Sequence, residues 1–413
     1  MQLYLSHMRS FTREARLFLV TLTVFAFAGA IPGVFFTLYL QALGFDRYMI
    51  GLTTTATQLG GVLASIPAAA LLDVIGRRKA AIIGAIATLV TTAATLLVSD
   101  PSLVIAAQVI SGSGIVLYAL AVVPLLASVS TVRERTTLFS TVEGCSTLAL
   151  FFGSLVAGVL PSLAAPIFGS GLESAETYRA VMLGSLIIRA VGIFPLALIH
   201  DHANAHASNV ARQSTLSFFN PRVLLKLKTP IWKLALPILL TYLGGSLIFP
   251  FINLYLKGRF GASDVTLGFI QGATSLAIGL FAFLGPFAAD RFGRARVVIA
   301  GTLITVACLV LIGYVEWFEF VAVIIVLRAG LYNGILPLYR AYVIDQTPSN
   351  EVAVVNLIYS TAANVGPTVA PPISGYVQDR AGFGPLFVGA IALYGMAAAG
   401  YYCDTWIRRG EPA

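Results

Sequence analysis

The sequence predicts an all-α membrane protein with twelve transmembrane helices in two pseudo-symmetric six-helix bundles. Three observations predict it. Of 413 residues, 58% are hydrophobic and only 11% charged, less than half the roughly 25% charged share of a soluble domain. Twelve apolar runs each approach the ~20 residues a helix needs to cross hydrocarbon. The two halves of the chain also repeat.

The runs fall at 17–41, 50–72, 80–98, 102–127, 137–160, 179–199, 231–256, 266–289, 297–314, 320–344, 353–377 and 384–403. None shows the apolar–polar alternation of a strand, and a helix satisfies its own backbone in lipid. The first run follows Arg9, Arg13 and Arg16 and is too long for a signal-peptide core, so it reads as a retained span. Residues 1–199 form the first bundle, 200–230 a polar, basic linker, and 231–413 the second bundle. Lys and Arg set the orientation. The N-terminal tail, the loops around Arg77-Arg78-Lys79, Arg133-Arg135 and Arg291–Arg296, the linker and the C-terminus carry most of them. The opposite side has Arg47, Arg179, Lys257, Arg259 and Arg380. This bias places both termini in the cytoplasm and accounts for the +8 net charge without a nucleic-acid partner. Trp232, Trp317 and Trp406 stand at span ends, where an aromatic belt belongs. Short loops and the lack of usable glycosylation sequons fit a prokaryotic inner membrane.

The repeat is explicit. Leu38-Tyr39-Leu40 closes the first run, and Leu254-Tyr255-Leu256 closes the seventh, 216 residues later. Asp73, Gly76 and Arg77 return as Asp290, Gly293 and Arg294 at an offset of 217. Pro124 and Gly153 return as Pro337 and Gly366 at 213. Repeated halves are how many secondary transporters build a midplane site.

The stretch Ala69-Ala-Leu71-Leu-Asp73-Val-Ile-Gly76-Arg77-Arg78-Lys79 resembles the GxLaDrxGrrk loop of the major facilitator superfamily, and Pro286-Phe-Ala-Ala-Asp290-Arg291-Phe-Gly293-Arg294 resembles its second copy. The two loops are in register, and Glu134-Arg135 opens span five. Ala69 and Pro286 replace the first glycine, and Val74 replaces a basic residue. The resemblance implies two bundles around a central cavity and transport of a small solute by alternating access. It also implies a cytoplasmic gate built from Asp73, Gly76, Arg77, Arg78, Glu134, Asp290, Arg291, Gly293 and Arg294. The alternative is that these charges merely anchor the loops on the inner side.

Charged groups at membrane depth are rare and are functional candidates by default. Of 18 acids, only Glu143 lies clearly inside a run. Thr136, Ser140, Glu143 and Thr147 give span five one polar face. Low dielectric favours the protonated acid, so Glu143 is the expected proton-coupling site, with a structural glutamate as the alternative. Arg328, in span ten, wants a carboxylate or an anionic ligand and is assigned to the coupling site with it, the alternative being a cap on backbone carbonyls. Arg189 reads as structural and Arg340 as reaching the surface. By resemblance, the cavity is lined by Gln58, Gln108, Tyr118, Tyr242, Asn253, Gln271, Tyr332, Asn333, Asn356, Tyr359 and Asn364. Interhelical hydrogen bonds are the other use for such residues. Gln108 stands where the family usually has an arginine. The antiporter glycine series keeps Gly144, Gly153 and Gly158 but loses its proline, while Gly366-Pro367 recurs in span eleven, so the reading leans to export.

The expected function is secondary active transport of an amphipathic organic solute, coupled to protons, with lipids as the remaining partners and a monomer as the working unit. The alternatives are an uncoupled facilitator or lipid-like flippase and, from another class, a non-transporting sensor. His200, His202 and His206 read as linker, and no metal or cofactor is expected. There is no GxxxxGK[ST] loop, HExxH or Ser-His-Asp pattern, so neither an ATP-driven pump nor an enzyme is expected.

Overall fold

The computed structural model describes residues 11–130, 134–199, 231–349 and 351–409. The linker 200–230, with its histidines, and Arg9 and Arg133 lie outside the described residues. Among the described residues there is no strand. The helices are α1 (Arg13–Ala42), α2 (Arg47–Ile75), α3 (Arg77–Leu97), α4 (Pro101–Ser128), α5 (Arg135–Phe168), α6 (Ala175–Ala197), α7 (Ile231–Ile248), α8 (Asp264–Phe292), α9 (Arg294–Tyr314), α10 (Phe318–Asp345), α11 (Val352–Ala381) and α12 (Gly384–Arg409). Each of these elements contains or begins a segment long and apolar enough to cross a membrane.

Most helices overrun the apolar run that predicts them. The run at 137–160 becomes α5, Arg135–Phe168, which continues through Pro161 and Pro166. Hydropathy measures the hydrocarbon-matched stretch, whereas the helix ends at its caps. Thr12 caps α1 by accepting from the Ala15 N–H at 3.1 Å. Asp100 caps α4 by accepting from the Ser102 and Leu103 N–H groups, with Pro101 at the first helical position. The Ser102 hydroxyl and the Leu103 amide hold the Asp100 carboxyl below the usual carboxylate range. One run is corrected. Span seven, read as continuous over 231–256, breaks into a 3-10 turn at Phe249–Phe251 before resuming as Ile252–Phe260. Pro250 has no N–H to continue the α-helical ladder.

The chain divides into two units. One comprises 1–45, 52–207 and 261–272, the other 46–51, 208–260 and 273–413. They follow the two sequence halves except that the first turn of α2 groups with the second unit and the first turns of α8 with the first. The pairings repeat: α1 packs on α5 and α6, and α3 on α4 and α6, while α7 packs on α11 and α12, and α9 on α10 and α12. The repeated tyrosines do the same job twice. Tyr39 donates to the Leu96 carbonyl at 2.9 Å, and Tyr255 donates to the Ile312 carbonyl at 2.6 Å.

Lipid supplies no hydrophobic drive between helices, so close packing at small residues must do it. A Cβ on Gly60 of α2 would lie 1.9 Å from the Val109 carbonyl of α4. In the second unit, a Cβ on Gly334 of α10 would meet the Phe281 carbonyl of α8 at 2.9 Å. The loop glycines are used differently. Gly76 and Gly293 have φ of 83° and 86°, and a Cβ there would meet nothing within 4 Å. Backbone conformation alone therefore decides the cost. Gly76→Ala and Gly293→Ala are each expected to destabilise by about 1 kcal/mol. Thermal unfolding of the purified variants checks this, and unchanged midpoints in both would refute it.

Candidate functional site

The two repeated loops sit between α2 and α3 and between α8 and α9, each turning at its positive-φ glycine. Sequence spacing placed Asp73 beside Arg77 and Asp290 beside Arg294. In the structure the arginines reach other helices. Arg77 donates to the Pro124 carbonyl of α4 at 3.5 Å, and Arg78 to the Ala197 carbonyl of α6. Arg294 pairs with Asp345 at the end of α10. Asp73, Asp290 and Arg291 are exposed, and Arg291 lies over the Phe292 ring. Glu134 is the N-cap residue of α5, with no side-chain capping bond of its own. Asp345 is the partner that sequence reasoning missed. Its one legible signal was an acid closing an apolar run.

In the first unit, Glu143 is exposed on α5 and has no bonded partner among the described residues. On the same helix, Ser140 and Thr141 turn their hydroxyls back to the Thr136 and Thr137 carbonyls, as polar side chains on apolar helices commonly do. Glu143 therefore offers its carboxylate outward from the helix. Gln108 lies on α4. It is 7% exposed, accepts from the Thr57 hydroxyl at 2.8 Å and donates to the Thr95 hydroxyl at 3.2 Å. Its amide ties α4 to α2 and α3. Tyr118 packs on Phe25 at 5.5 Å, and its buried hydroxyl lacks a partner. Arg189 lies over the other side of this cluster, 5.4 Å from the Phe25 ring centre, with its Nε buried and unpartnered. Gln58 is half-buried on α2. Tyr178 of α6 donates to Asp264 at the start of α8.

The second unit holds an aromatic cage around Arg328. The residue is 4% exposed. Its guanidinium carbon lies 3.3 Å from the Phe249 ring centre, 5.1 Å from that of Tyr332 and 5.8 Å from that of Tyr394. Nη2 donates to the Tyr394 hydroxyl at 2.8 Å, while Nε is buried without a partner among the described residues. A desolvated cation over three ring faces gains cation–π attraction, yet one donor still lacks an acceptor. Tyr242 continues the cluster, edge-on to Tyr332 at 6.3 Å. Phe249 comes from the 3-10 turn, so the break at Pro250 aims a ring at the arginine. Tyr394 lies 66 residues from Arg328 and carried no sequence signal.

The remaining candidates divide by their partners. Asn356 accepts from Arg340 Nε and Nη2 at 3.1 and 2.9 Å. Tyr359 lies 6.0 Å from the Arg340 guanidinium carbon and packs on Tyr339. Arg340 is exposed, as expected, but anchored by Asn356. Asn333 and Asn364 turn back to the Ala329 and Ser360 carbonyls of their own helices. Asn253 is buried and Gln271 half-buried. Asp379, near the end of α11, accepts from the Arg47 and Tyr48 N–H groups at 3.2 and 3.1 Å, capping α2 from a helix remote in sequence.

A family model described as Major Facilitator Superfamily matches residues 17–241 and 234–412. Two curated relatives match at lower reach. Multidrug resistance protein MdtG of Proteus mirabilis (strain HI4320) is 31% identical over 157 residues, 36% of this chain and 38% of that protein. MdtG of Dickeya zeae (strain Ech586) is 30% identical over 158 residues, again 38% of its length. Among solved structures, nucleoside transporter NupG superposes with a TM-score of 0.72 at 13% identity, covering 97% of this chain and 100% of that one. A bacterial homologue of the iron transporter ferroportin gives 0.74 at 14% identity, covering 94% and 98%.

Proposed function

The chain belongs to the major facilitator superfamily, and from that premise we propose that it is a proton-coupled secondary active transporter that exports a small amphipathic organic solute by alternating access. The observation that carries the coupling is Glu143. It is a carboxylate within an apolar span, in the third turn of α5, exposed and without a partner among the described residues. An ionisable group in a membrane span is a functional candidate by default. The stretch shared with two proteins named for multidrug resistance supports the reading of an organic solute, although the chain spans only 38% of their length.

Flux in proteoliposomes tests this reading. Ethidium and a fluorescent aromatic carboxylate serve as cationic and anionic amphipathic probes, with a pH gradient imposed in either direction. Accumulation of at least one probe against its gradient, reversing with the sign of the pH gradient, is the expected result. A one-unit gradient is worth about 1.4 kcal/mol per proton, so 1:1 exchange supports roughly tenfold accumulation. Equilibration of both probes without accumulation would leave an uncoupled facilitator in its place.

The gate residues give a further expectation. Asp345→Asn removes the charged partner of Arg294. The pair is exposed on both sides, so stability should change by less than 1 kcal/mol. States of a transporter differ by only a few kcal/mol, so accessibility to a thiol reagent of a cysteine placed at position 291 should change even so. Identical labelling rates with and without Asp345→Asn would remove this pair from the gate.

A further inference from the structure

A second polar site lies wholly within the second unit, away from Arg328. A cavity of about 290 Å³ is lined by Arg47, Tyr255, Arg259, Phe383 and Phe387, with glycine backbone between them. No acid lines it. Arg259 spends Nη1 on the Tyr255 hydroxyl and the Gly313 carbonyl. Arg47 spends Nη1 on the Gln378 carbonyl at 3.5 Å, with its guanidinium carbon 5.4 Å from the Phe383 ring centre. The Nε and Nη2 donors of both arginines have no acceptor among the described residues. Asp379 accepts from the first two amides of α2 and is not among the residues lining the cavity.

In the first unit the repeated tyrosine also meets a guanidinium: Arg179 Nε of α6 donates to the Tyr39 hydroxyl at 3.4 Å. In the second unit Arg259 comes from the tyrosine's own helical segment, and Arg47 lines the same cavity. Two guanidiniums facing one cavity without an acid repel each other and favour a shared anion, which each can bind through two parallel N–H groups.

The surroundings identify the anion's source. Phe260 packs on Phe318 at 5.4 Å, and Trp317 stacks on Phe320 at 5.8 Å. Trp317 is 65% exposed. Exposed amphipathic rings at helix ends mark the headgroup level of a bilayer, which puts the cavity where lipid phosphates lie. Its volume suits a headgroup and is small for a whole drug-sized solute. We infer that this cavity binds the phosphate of an anionic phospholipid between Arg47 and Arg259, with the acyl chains outside it.

The experiment uses the full-length protein purified in a neutral detergent, with lipid binding read by native mass spectrometry. Three probes are added separately: short-chain phosphatidylglycerol, phosphatidylcholine of the same chain length, and glycerol 1-phosphate. Phosphatidylglycerol should bind at least fivefold more tightly than phosphatidylcholine. Arg47→Gln should weaken it about fivefold, the worth of one arginine near a charged surface, and Arg47→Lys should recover part of that. Arg259→Gln should act in the same direction, but it also strips a bond from Tyr255, so Arg47 carries the test if that variant fails to fold. Wild-type affinity for phosphatidylglycerol in Arg47→Gln, or equal binding of the two lipids, would overturn the inference. Glycerol 1-phosphate binding as tightly as the lipid would overturn it too, by assigning the pocket to a soluble anion. Solute flux does not enter the readout, so failure here leaves the transport proposal standing and the reverse also holds.

Discussion

Glu143→Gln is expected to abolish uphill flux driven by a pH gradient and to leave exchange of solute for solute intact. The amide mimics the protonated acid in shape and hydrogen bonding but cannot release a proton. Gradient-driven accumulation should fall from roughly tenfold to unity under a one-unit gradient, and solute binding should lose its dependence on pH. Stability should barely move, because Glu143 is exposed and no partner among the described residues is left unsatisfied. That separates a coupling role from a structural one, in which unfolding would shift and flux would follow it. Cys145, half-buried two residues on, gives a native reporter: a small thiol reagent should label it at a rate that solute changes. Uphill flux near the wild-type rate in Glu143→Gln would make the residue structural.

Arg328→Lys should be the most damaging of the conservative substitutions. Lysine keeps the charge but loses the flat group that lies over Phe249 at 3.3 Å and reaches Tyr394 at 2.8 Å. A compact, strongly hydrated ammonium in a site 4% exposed faces desolvation that the guanidinium tolerates better. A loss of about 2–3 kcal/mol is expected, from a buried hydroxyl left without its donor and the weakened cation–π contact. Tyr394→Phe removes the hydrogen bond alone and should cost about 1 kcal/mol. Unfolding midpoints of both single variants and the double variant give the coupling between them. A lysine variant with wild-type stability and flux would reduce Arg328 to a plain cation.

The gate loops show how far a repeat can be read. Gly76 and Gly293 were placed by spacing alone, and both adopt the positive φ that the tight turn needs. The partners of the neighbouring arginines were not legible, because Pro124, Ala197 and Asp345 lie 47, 119 and 51 residues away. Gln108 shows the same limit from the other side. A polar residue in an apolar run fits a cavity or a neighbouring helix equally well by composition, and only the hydroxyls of Thr57 and Thr95 decided which.

By itself, the sequence determined the twelve helices, their order, the repeat and the superfamily. Each of these depends on a local property, namely apolar length against a bilayer of fixed thickness and short motifs at a fixed offset. Tertiary structure alone decided where each helix ends, that span seven breaks before its apolar run does, and which buried charge meets which group. The arginine cage needs Phe249, Arg328 and Tyr394 from three elements, and the second cavity is lined by both Arg47 and Arg259, 212 residues apart. A buried donor takes whatever acceptor packing brings within 3 Å, and that packing depends on the close approach of helices at small residues rather than on hydropathy.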